Sequence, residues 1–301
     1  MENKSKLTNF QSFLAYMGGS TIQITLDNPI TSYRQLVQQY AKDSTGSIVH
    51  PLIARTEAKK VFTKSPVSAS LSGLAPRLLG ASTKSAPKFG FFWGITALTG
   101  QSEPNWIGAI GASVFSAYCI NPIRMIEKQQ RVELKLTGQI KTMSSILREA
   151  AQYNFKPLFR GTTPLIAHSA ASATTGLVGQ PKLQKLIRAK LSGDSNVGFF
   201  NLSKSTANLI ASALVSPIYV VITNPLSRLE VIMQTNPISS PAIKLSEAIK
   251  EIVTDSKKFG LNGMFRGQGI GITKAVISLS LFHEGRMAFE HVIAKYNENK
   301  N

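Results

Sequence analysis

The stretch Ile120–Arg131 decides the fold. It reads INPIRMIEKQQR and follows the apolar, small-residue run IGAIGASVFSAYC. Its proline lies inside a helical pattern, where the pyrrolidine ring removes a hydrogen-bond donor and clashes with the preceding turn. The polar pattern nevertheless continues past Pro122, with Arg124 and Glu127 three residues apart. The stretch therefore predicts a long helix that is kinked at Pro122 and carries opposite charges after the kink.

The same pattern occurs three times along the chain. Its Asn-Pro pair recurs in DNPITSYRQLVQQ and in TNPLSRLEVIMQT, so that Pro29, Pro122 and Pro225 are separated by 93 and 103 residues. Each proline follows an apolar run and precedes an amphipathic turn or two. Gln38 and Gln234 lie nine residues after the first and the third proline. Repetition of this kind predicts three copies of one supersecondary unit.

A second recurring element lies between the prolines. Its copies begin as SGLAPRLLG at Ser72, FRGTTPLIAHS at Phe159 and FRGQGIGITKA at Phe265. An amphipathic surface segment precedes each glycine turn, and roughly twenty residues follow it, which is enough to cross a bilayer as a helix. The chain is therefore predicted to be an all-α membrane protein with six transmembrane helices and one short surface helix per repeat. The repeat boundaries are predicted at residues 1–100, 101–197 and 198–301.

The amino-acid composition limits the classes of function and partner that the chain can have. Charged residues make up only 17% of the chain, below the roughly 25% of soluble proteins. The 34 basic and 16 acidic residues give a net charge of +18, which suits nucleic acid, an anionic lipid surface or an anionic small molecule. Cys119 is the only cysteine, so a disulfide within the chain and a cysteine zinc cluster are both excluded. No phosphate-binding glycine loop, HExxH or GxSxG motif is present, and the sequence predicts neither an enzyme nor a metal site.

These repeats resemble those of the mitochondrial carrier family over nearly the whole chain. That family repeats a Pro-x-Asp/Glu-x-x-Lys/Arg box and an acid-Gly-x-x-x-x-aromatic-Lys/Arg-Gly box three times. The second box is clearest here as YNFKPLFRG (Tyr153–Gly161) and FGLNGMFRG (Phe259–Gly267), although neither copy has the leading acid. The degenerate boxes and the Asn/Lys/Ser-rich ends also look similar to divergent carriers that intracellular bacteria deliver into host mitochondria, one type of which moves nucleotides.

The resemblance implies a gate on the matrix side of the membrane, where the odd-numbered helices kink at the three prolines and converge. In the family, the second residue after one proline pairs with the fifth residue after the next. The implied contacts are Thr31 with Glu127, Arg124 with Glu230, and Ser227 with Arg34, with Gln38 and Gln234 in the same gate. Arg124 with Glu230 is a full ion pair, and its polarity is reversed relative to the family. In the alternative interpretation, Arg124 pairs with Glu127 on a solvated face of its own helix.

The resemblance also implies substrate contacts on the even-numbered helices. Counted from the turn glycines, the family's positions hold Gly80, His168 with Ser169, and Lys274, and helical spacing adds Lys84 and Lys88. Ionisable side chains within spanning helices usually face an aqueous interior. Three lysines and a histidine, with no carboxylate on these faces, predict an anionic substrate. Alternatively, Lys84 or Lys88 reaches lipid headgroups, and His168 is a hydrogen-bonded packing residue.

The sequence therefore predicts a transporter that moves an anionic metabolite, with a nucleotide such as ATP or ADP ranked first. It would act by alternating access in the inner mitochondrial membrane, as a monomer that binds no nucleic acid and needs no cofactor. The alternatives are a carrier of a small organic or inorganic anion, and a carrier-shaped scaffold or receptor that no longer transports. Glycines beside Arg160 and Arg266 open helices whose backbone N–H groups suit a lipid phosphate, so cardiolipin is the expected bound lipid.

Overall fold

A computed structural model describes residues 9–42, 47–81, 106–173, 186 and 204–298 of the chain. Within these ranges the protein is helical and has no strand, apart from an isolated β-bridge between Lys42 and Ile48. This confirms the predicted all-α class. The helices are α1 (Asn9–Gln39), α2 (Pro51–Lys64), α3 (Pro66–Leu71), α4 (74–81), α5 (Trp106–Thr137), α6 (Met143–Ala151), α7 (Thr162–Ala173), α8 (Lys204–Gln234), α9 (Leu245–Phe259), α10 (Leu261–Met264) and α11 (Gln268–Glu298), with a 3-10 turn at Lys156–Phe159.

Three long helices contain the repeated prolines. Pro29 lies inside α1, Pro122 inside α5 and Pro225 inside α8, and each helix continues for at least nine residues beyond its proline. The prediction of a helix that runs through the proline is therefore correct in all three copies. Among the helices of the described ranges, none has both the length and the apolar content needed to cross a membrane.

Each long helix carries a short helix on its carboxyl-terminal part. Ala54 and Ala58 of α2 pack with Leu36 and Val37 of α1. The apolar face of α6 packs in the same way on α5, and that of α9 on α8. Residues four apart lie on one face of a helix, so a short amphipathic helix buries such a pair against its neighbour.

The helices form a closed ring. The long helices α1, α5 and α8 contact one another pairwise, α7 contacts both α5 and α8, and α11 contacts both α8 and α1. The segment α4 closes the remaining side, because Arg77 bonds to Asp27 of α1 while Gly80 faces α5. A Cβ atom at Gly80 would lie 3.3 Å from Ile120 Cδ1, so a larger residue there would press on the α5 wall.

Candidate functional site

The long helices turn polar side chains toward the middle of the ring. On the outer side they expose large apolar groups, among them Leu26 of α1, Phe115 of α5 and Ile218 of α8, which are 55%, 50% and 53% exposed. In a water-soluble helix bundle the two faces are arranged the other way round. The buried polar residues of these helices include Asp27, Asn28, Thr31, Ser32, Gln35 and Gln38 on α1, Asn121, Glu127, Lys128, Gln129 and Arg131 on α5, and Thr223, Asn224, Arg228, Glu230 and Gln234 on α8.

One of the three gate contacts expected from the sequence is present as expected. Arg124 Nη1 of α5 lies 3.6 Å from Glu230 Oε1 of α8, and the Glu230 side chain is 1% exposed. The alternative interpretation placed Glu127 on a solvated face as the partner of Arg124. Glu127 is instead buried and pairs with Arg131, whose Nη1 lies 2.5 Å from Glu127 Oε1.

The other two expected contacts are replaced by different ones. Thr31 Oγ1 donates to Asp27 Oδ1 of its own helix at 3.5 Å, because a hydroxyl on a short side chain reaches one turn along its own helix more readily than a neighbouring helix. Arg34 reaches the expected helix α8, but its guanidinium donates to Asn224 Oδ1, one turn before Ser227. Sequence register therefore predicted which helices meet, and side-chain length decided which residues bond.

The residue nine positions after each proline packs against a turn glycine of the preceding repeat. A Cβ at Gly73 would lie 2.8 Å from Arg131 Nη2, one at Gly161 would lie 3.0 Å from Gln234 Cγ, and one at Gly267 would lie 3.8 Å from Gln38 Cγ. These glycines have φ angles of +70°, +70° and +77°, a region that L-residues with side chains rarely adopt. The three contacts form a cyclic pattern that joins repeat 1 to 2, 2 to 3 and 3 to 1.

The asparagines before the first two prolines each bridge two repeats. Asn28 Nδ2 donates to Ser70 O and Ser72 O of its own repeat, and Asn121 Nδ2 donates to Leu158 O and Arg160 O. Their amide oxygens accept hydrogen bonds from the next repeat, that of Asn28 from Arg131 and that of Asn121 from Gln234. At the third junction, Arg34 is the donor to Asn224. This double use explains the asparagine before Pro29 and before Pro122, whereas the buried Nδ2 of Asn224 makes no hydrogen bond to a described residue.

Arg131 makes several buried hydrogen bonds from α5 to α1, and it was not among the predicted site residues. It is fully buried, and its guanidinium donates to Glu127 Oε1 at 2.5 Å, Ser32 Oγ at 3.3 Å and Ser72 O at 3.2 Å. It also donates to Gln35 Oε1. The signal that could have identified it is register, because Arg131 lies nine residues after Pro122 and so occupies the place of Gln38 and Gln234.

A buried carboxylate on α1 was also missed. Asp27 is fully buried, Arg77 Nη2 donates to its Oδ1 at 2.7 Å, and Ser278 Oγ of α11 donates to its Oδ2 at 2.5 Å. Lys274, one turn before Ser278, interacts electrostatically with both Asp27 and Arg77. The signal was an acidic residue two positions before Pro29 within a mostly apolar helix. The predicted lysine site thus has a carboxylate and an arginine beside it.

The remaining predicted substrate positions have different surroundings. His168 Nδ1 of α7 lies 3.9 Å from Glu230 Oε2, which places this histidine at the interior. Ser169 is half-buried. Gly80 serves the packing of α4 on Ile120 of α5. Lys84 and Lys88 lie outside the described residues, and so their predicted role stays a prediction.

The arginines of the FRG turns are engaged within the protein. Arg160 donates to the backbone carbonyls of Pro237, Ile238 and Ser240 at 2.8, 3.1 and 2.5 Å, and burial lowers the pKa of its guanidinium. Arg266 is 1% exposed and donates to both carboxylate oxygens of Asp255. These contacts give both arginines a structural role.

The Arg124–Glu230 contact is expected to appear as a coupling energy. Arg124→Gln and Glu230→Gln should each lower the free energy of unfolding, and the double variant should lose less than the two singles together by about 1–3 kcal/mol. Glutamine is used at both positions because a basic residue in place of Glu230 would lie beside Lys128, whose Nζ is 3.6 Å from Glu230 Oε1. Unfolding is followed with a thiol-reactive dye at Cys119, the only thiol. Strictly additive losses would mean that the two side chains do not interact.

No protein-family profile matches this chain, and no curated protein shows significant similarity to it. The resemblance to mitochondrial carriers therefore stays a prediction from the three repeats.

Proposed function

We propose that the chain is a divergent carrier of the mitochondrial type, which moves an anionic metabolite across the inner mitochondrial membrane by alternating access. A nucleotide such as ATP or ADP ranks first among the substrates, and a small organic or inorganic anion second. In this proposal, six membrane-spanning segments in three repeats (1–100, 101–197 and 198–301) surround a central hollow. The short helices α2, α6 and α9 lie at the matrix surface.

The observation that carries the proposal is the inverted arrangement of the long helices. Buried polar and charged residues are about as numerous as buried apolar ones within the described ranges. Exposed Leu26, Phe115 and Ile218 lie on the opposite faces. A helix that lines a water-filled hollow needs an apolar surface only where it meets lipid, and ionisable groups face the interior. Mean hydropathy averages the polar and the apolar face of a helix, so it does not show that one face is apolar. The exposure of the individual residues on each face does show this.

The cyclic junctions support the alternating-access part of the proposal. Arg131, Gln234 and Gln38 each contact a turn glycine of the preceding repeat, and the Arg124–Glu230 ion pair joins α5 to α8 in the same region. Three equivalent junctions close one end of the hollow. Because each junction is held by a few polar contacts, opening that end requires breaking only those contacts while the helices themselves stay intact.

The charges at the interior support an anionic substrate. Asp27 is bonded to Arg77, and Glu127 is bonded to Arg131, so these two pairs are neutral. Arg124 and Lys128 both face the single carboxylate of Glu230, and Lys274 lies near the Asp27–Arg77 pair. A surplus of positive charge in a low-dielectric hollow favours an anion, which would neutralise it.

The test is uptake into liposomes. Vesicles that contain the purified protein and internal ATP should take up labelled ATP. Lys274→Gln should lower the initial rate of uptake by about tenfold or more, because it removes one hydrogen bond between a charged group and the substrate. Lys60→Gln is the matched control, because Lys60 is exposed and pairs with Glu57 within one turn of α2; its rate should equal that of the unmodified protein. An equal rate for Lys274→Gln would remove this lysine from the substrate site.

A broader panel separates the proposed function from its alternatives. Uptake of phosphate or carboxylates without uptake of nucleotides would identify a small-anion carrier. A correctly inserted protein that moves no anion would be a scaffold or receptor, and the transport proposal would be wrong. Co-purified cardiolipin, measured by mass spectrometry before and after detergent exchange, tests the expected bound lipid separately.

A further inference from the structure

The three junctions between repeats share one plan, and at two of them the residue nine positions after the proline bonds to the facing turn. At the first junction, between repeats 1 and 2, Arg131 Nη2 donates to Ser72 O at 3.2 Å. At the second, between repeats 2 and 3, Gln234 Nε2 donates to the equivalent carbonyl, Arg160 O, at 3.2 Å. It also donates to Asn121 Oδ1 at 2.8 Å.

The third junction, between repeats 3 and 1, lacks these bonds. Gln38 and Asn224 occupy the corresponding places and are 5% and 0% exposed. Neither Nε2 nor Oε1 of Gln38, nor Nδ2 of Asn224, forms a hydrogen bond with a described residue. Neighbouring arginines have taken their partners. Arg34 donates to Asn224 Oδ1, and Arg228 donates to Met264 O, the carbonyl in the position that the asparagine bonds in the other two repeats.

The third junction is also packed less tightly. A Cβ atom at Gly73 or at Gly161 would lie 2.8 or 3.0 Å from the nearest side-chain atom of the next repeat. At Gly267 the nearest atoms are Arg34 Cγ at 3.5 Å and Gln38 Cγ at 3.8 Å, which are ordinary van der Waals distances. The three glycines have φ angles of +70°, +70° and +77°, so the difference comes from the side chains that face them.

These polar atoms and this space suit bound water. Buried polar atoms without a protein partner are normally bonded to ordered water, which makes about three hydrogen bonds and needs a polar site with room for it. Gln38 supplies a donor and an acceptor, and Asn224 Nδ2 supplies a further donor. Both belong to one junction, because Arg34 bonds to Asn224 and flanks Gly267 together with Gln38.

The charged contacts also differ between the junctions. The Arg124–Glu230 ion pair crosses the second junction. At the third, Arg34 of α1 donates to the neutral amide of Asn224, and the salt bridge between Lys42 and Glu251 lies where solvent screens it, with a lysine side chain that is 44% exposed. The FRG arginine bonds to a loop of the next repeat at both junctions, so that contact does not distinguish them.

We propose that the junction between repeats 3 and 1 is a water-binding site, held by the side-chain amides of Gln38 and Asn224, and that it is the first of the three to separate. This inference rests on the proposed function and adds an order of opening to it. When a dry junction separates, its amides must exchange protein partners for water. At the third junction water is already the partner, so that exchange adds no cost there.

The test compares thiol labelling at the three junctions. Gln38→Cys, Gln234→Cys and Ser32→Cys are made separately in a Cys119→Ser background, and the purified protein in detergent is treated with a small charged thiol reagent. The three native side chains are almost completely buried, so the labelling rate measures opening. Ser32 reports the first junction, because Arg131 Nε donates to its Oγ. The Gln38 variant should react about tenfold or more faster than the other two, the effect of one charge-assisted contact.

A second pair of variants tests the water. Leucine is similar in size to glutamine and forms no side-chain hydrogen bond. Gln234→Leu loses the bonds to Asn121 Oδ1 and Arg160 O, whereas Gln38→Leu loses contacts with water alone. The midpoint of thermal unfolding should therefore fall clearly in Gln234→Leu and much less in Gln38→Leu.

Two results would overturn the inference: a Gln38 variant that is labelled no faster than the other two, and an equal fall in the midpoint for the two leucine variants. If a Gln234 variant does not fold, Gly267→Ala is compared with Gly73→Ala. It should unfold at the higher temperature because its Cβ has room, and equal midpoints would contradict the inference. Labelling needs no substrate, so fast labelling without transport would refute the proposed function alone, and transport with equal labelling rates would refute this inference alone.

Discussion

Arg131→Ala is expected to lower the free energy of unfolding by about 3–5 kcal/mol, the cost of breaking a buried ion pair from one side. The substitution leaves the Glu127 carboxylate buried without its 2.5 Å partner. It also removes the donors to Ser32 Oγ and Ser72 O. These bonds join α5 to α1 and to the turn before α4, so the loss should appear as a lower midpoint of thermal unfolding, measured by dye labelling of Cys119.

Two further variants test the cause of this loss. The double variant Glu127→Gln with Arg131→Gln should recover most of the stability. The other two junctions already have a neutral glutamine at the position of Arg131, which is Gln234 at the second junction and Gln38 at the third. Lys135→Ala, one turn further along α5, should cost less, because the half-buried Lys135 bonds to Gln39 O and lies over the Tyr40 ring, and its loss leaves no buried carboxylate without a partner. The explanation fails if Arg131→Ala is no more damaging than Lys135→Ala, or if the neutral double variant is as unstable as Arg131→Ala.

Asp255→Ala is expected to be comparably severe, with a loss of about 3–5 kcal/mol. Asp255 is a buried residue of α9 that accepts from Arg228 Nη2 at 2.9 Å and from Arg266 Nη2 at 2.7 Å. Without it, two buried guanidiniums face each other unneutralised. The group joins α8, α9 and the turn before α11 to the segment that precedes α2, because Arg228 also donates to Met264 O and Arg266 to Val49 O.

Glu251→Ala provides the matched control for this prediction. Glu251 lies one turn before Asp255 on α9 and forms a salt bridge with Lys42 at 2.6 Å, in which the lysine side chain is 44% exposed. Solvent screens such a pair, so the loss should be below about 1 kcal/mol. Asp255→Asn keeps one hydrogen-bond acceptor and should fall between the two alanine variants. Equal losses for Glu251→Ala and Asp255→Ala would show that burial of the Asp255 group adds nothing.

The side-chain contacts expected after the three prolines are present only in part. Arg124 and Glu230 meet as register predicted, at 3.6 Å. Thr31 and Arg34 face the expected region but bond to Asp27 and Asn224. Repeat register determines which turn of one helix faces which turn of the next. The atom that bonds depends on side-chain length and on competing partners within reach, and a repeat pattern contains neither.

The same limit applies to the residues that the sequence interpretation missed. Asp27 and Arg131 are charged residues at defined distances from a repeated proline, yet neither position carries a matching charge in the other two copies. A comparison between the repeats therefore does not single them out. Their importance becomes visible only when Arg77, Ser278 and Ser32 are brought beside them from other helices.

By itself, the sequence determined the features that depend on local chemistry: the three long helices through Pro29, Pro122 and Pro225, the amphipathic short helices, and the glycine turns with their positive φ angles. These follow from periodicity and backbone sterics, which act over a few residues. The tertiary structure alone decided which buried charges are neutralised and which, around Glu230, are left in excess. Such pairing joins residues that lie between one helical turn and about one hundred positions apart in sequence, and its energy depends on distances of a few ångströms that only the packed helices define.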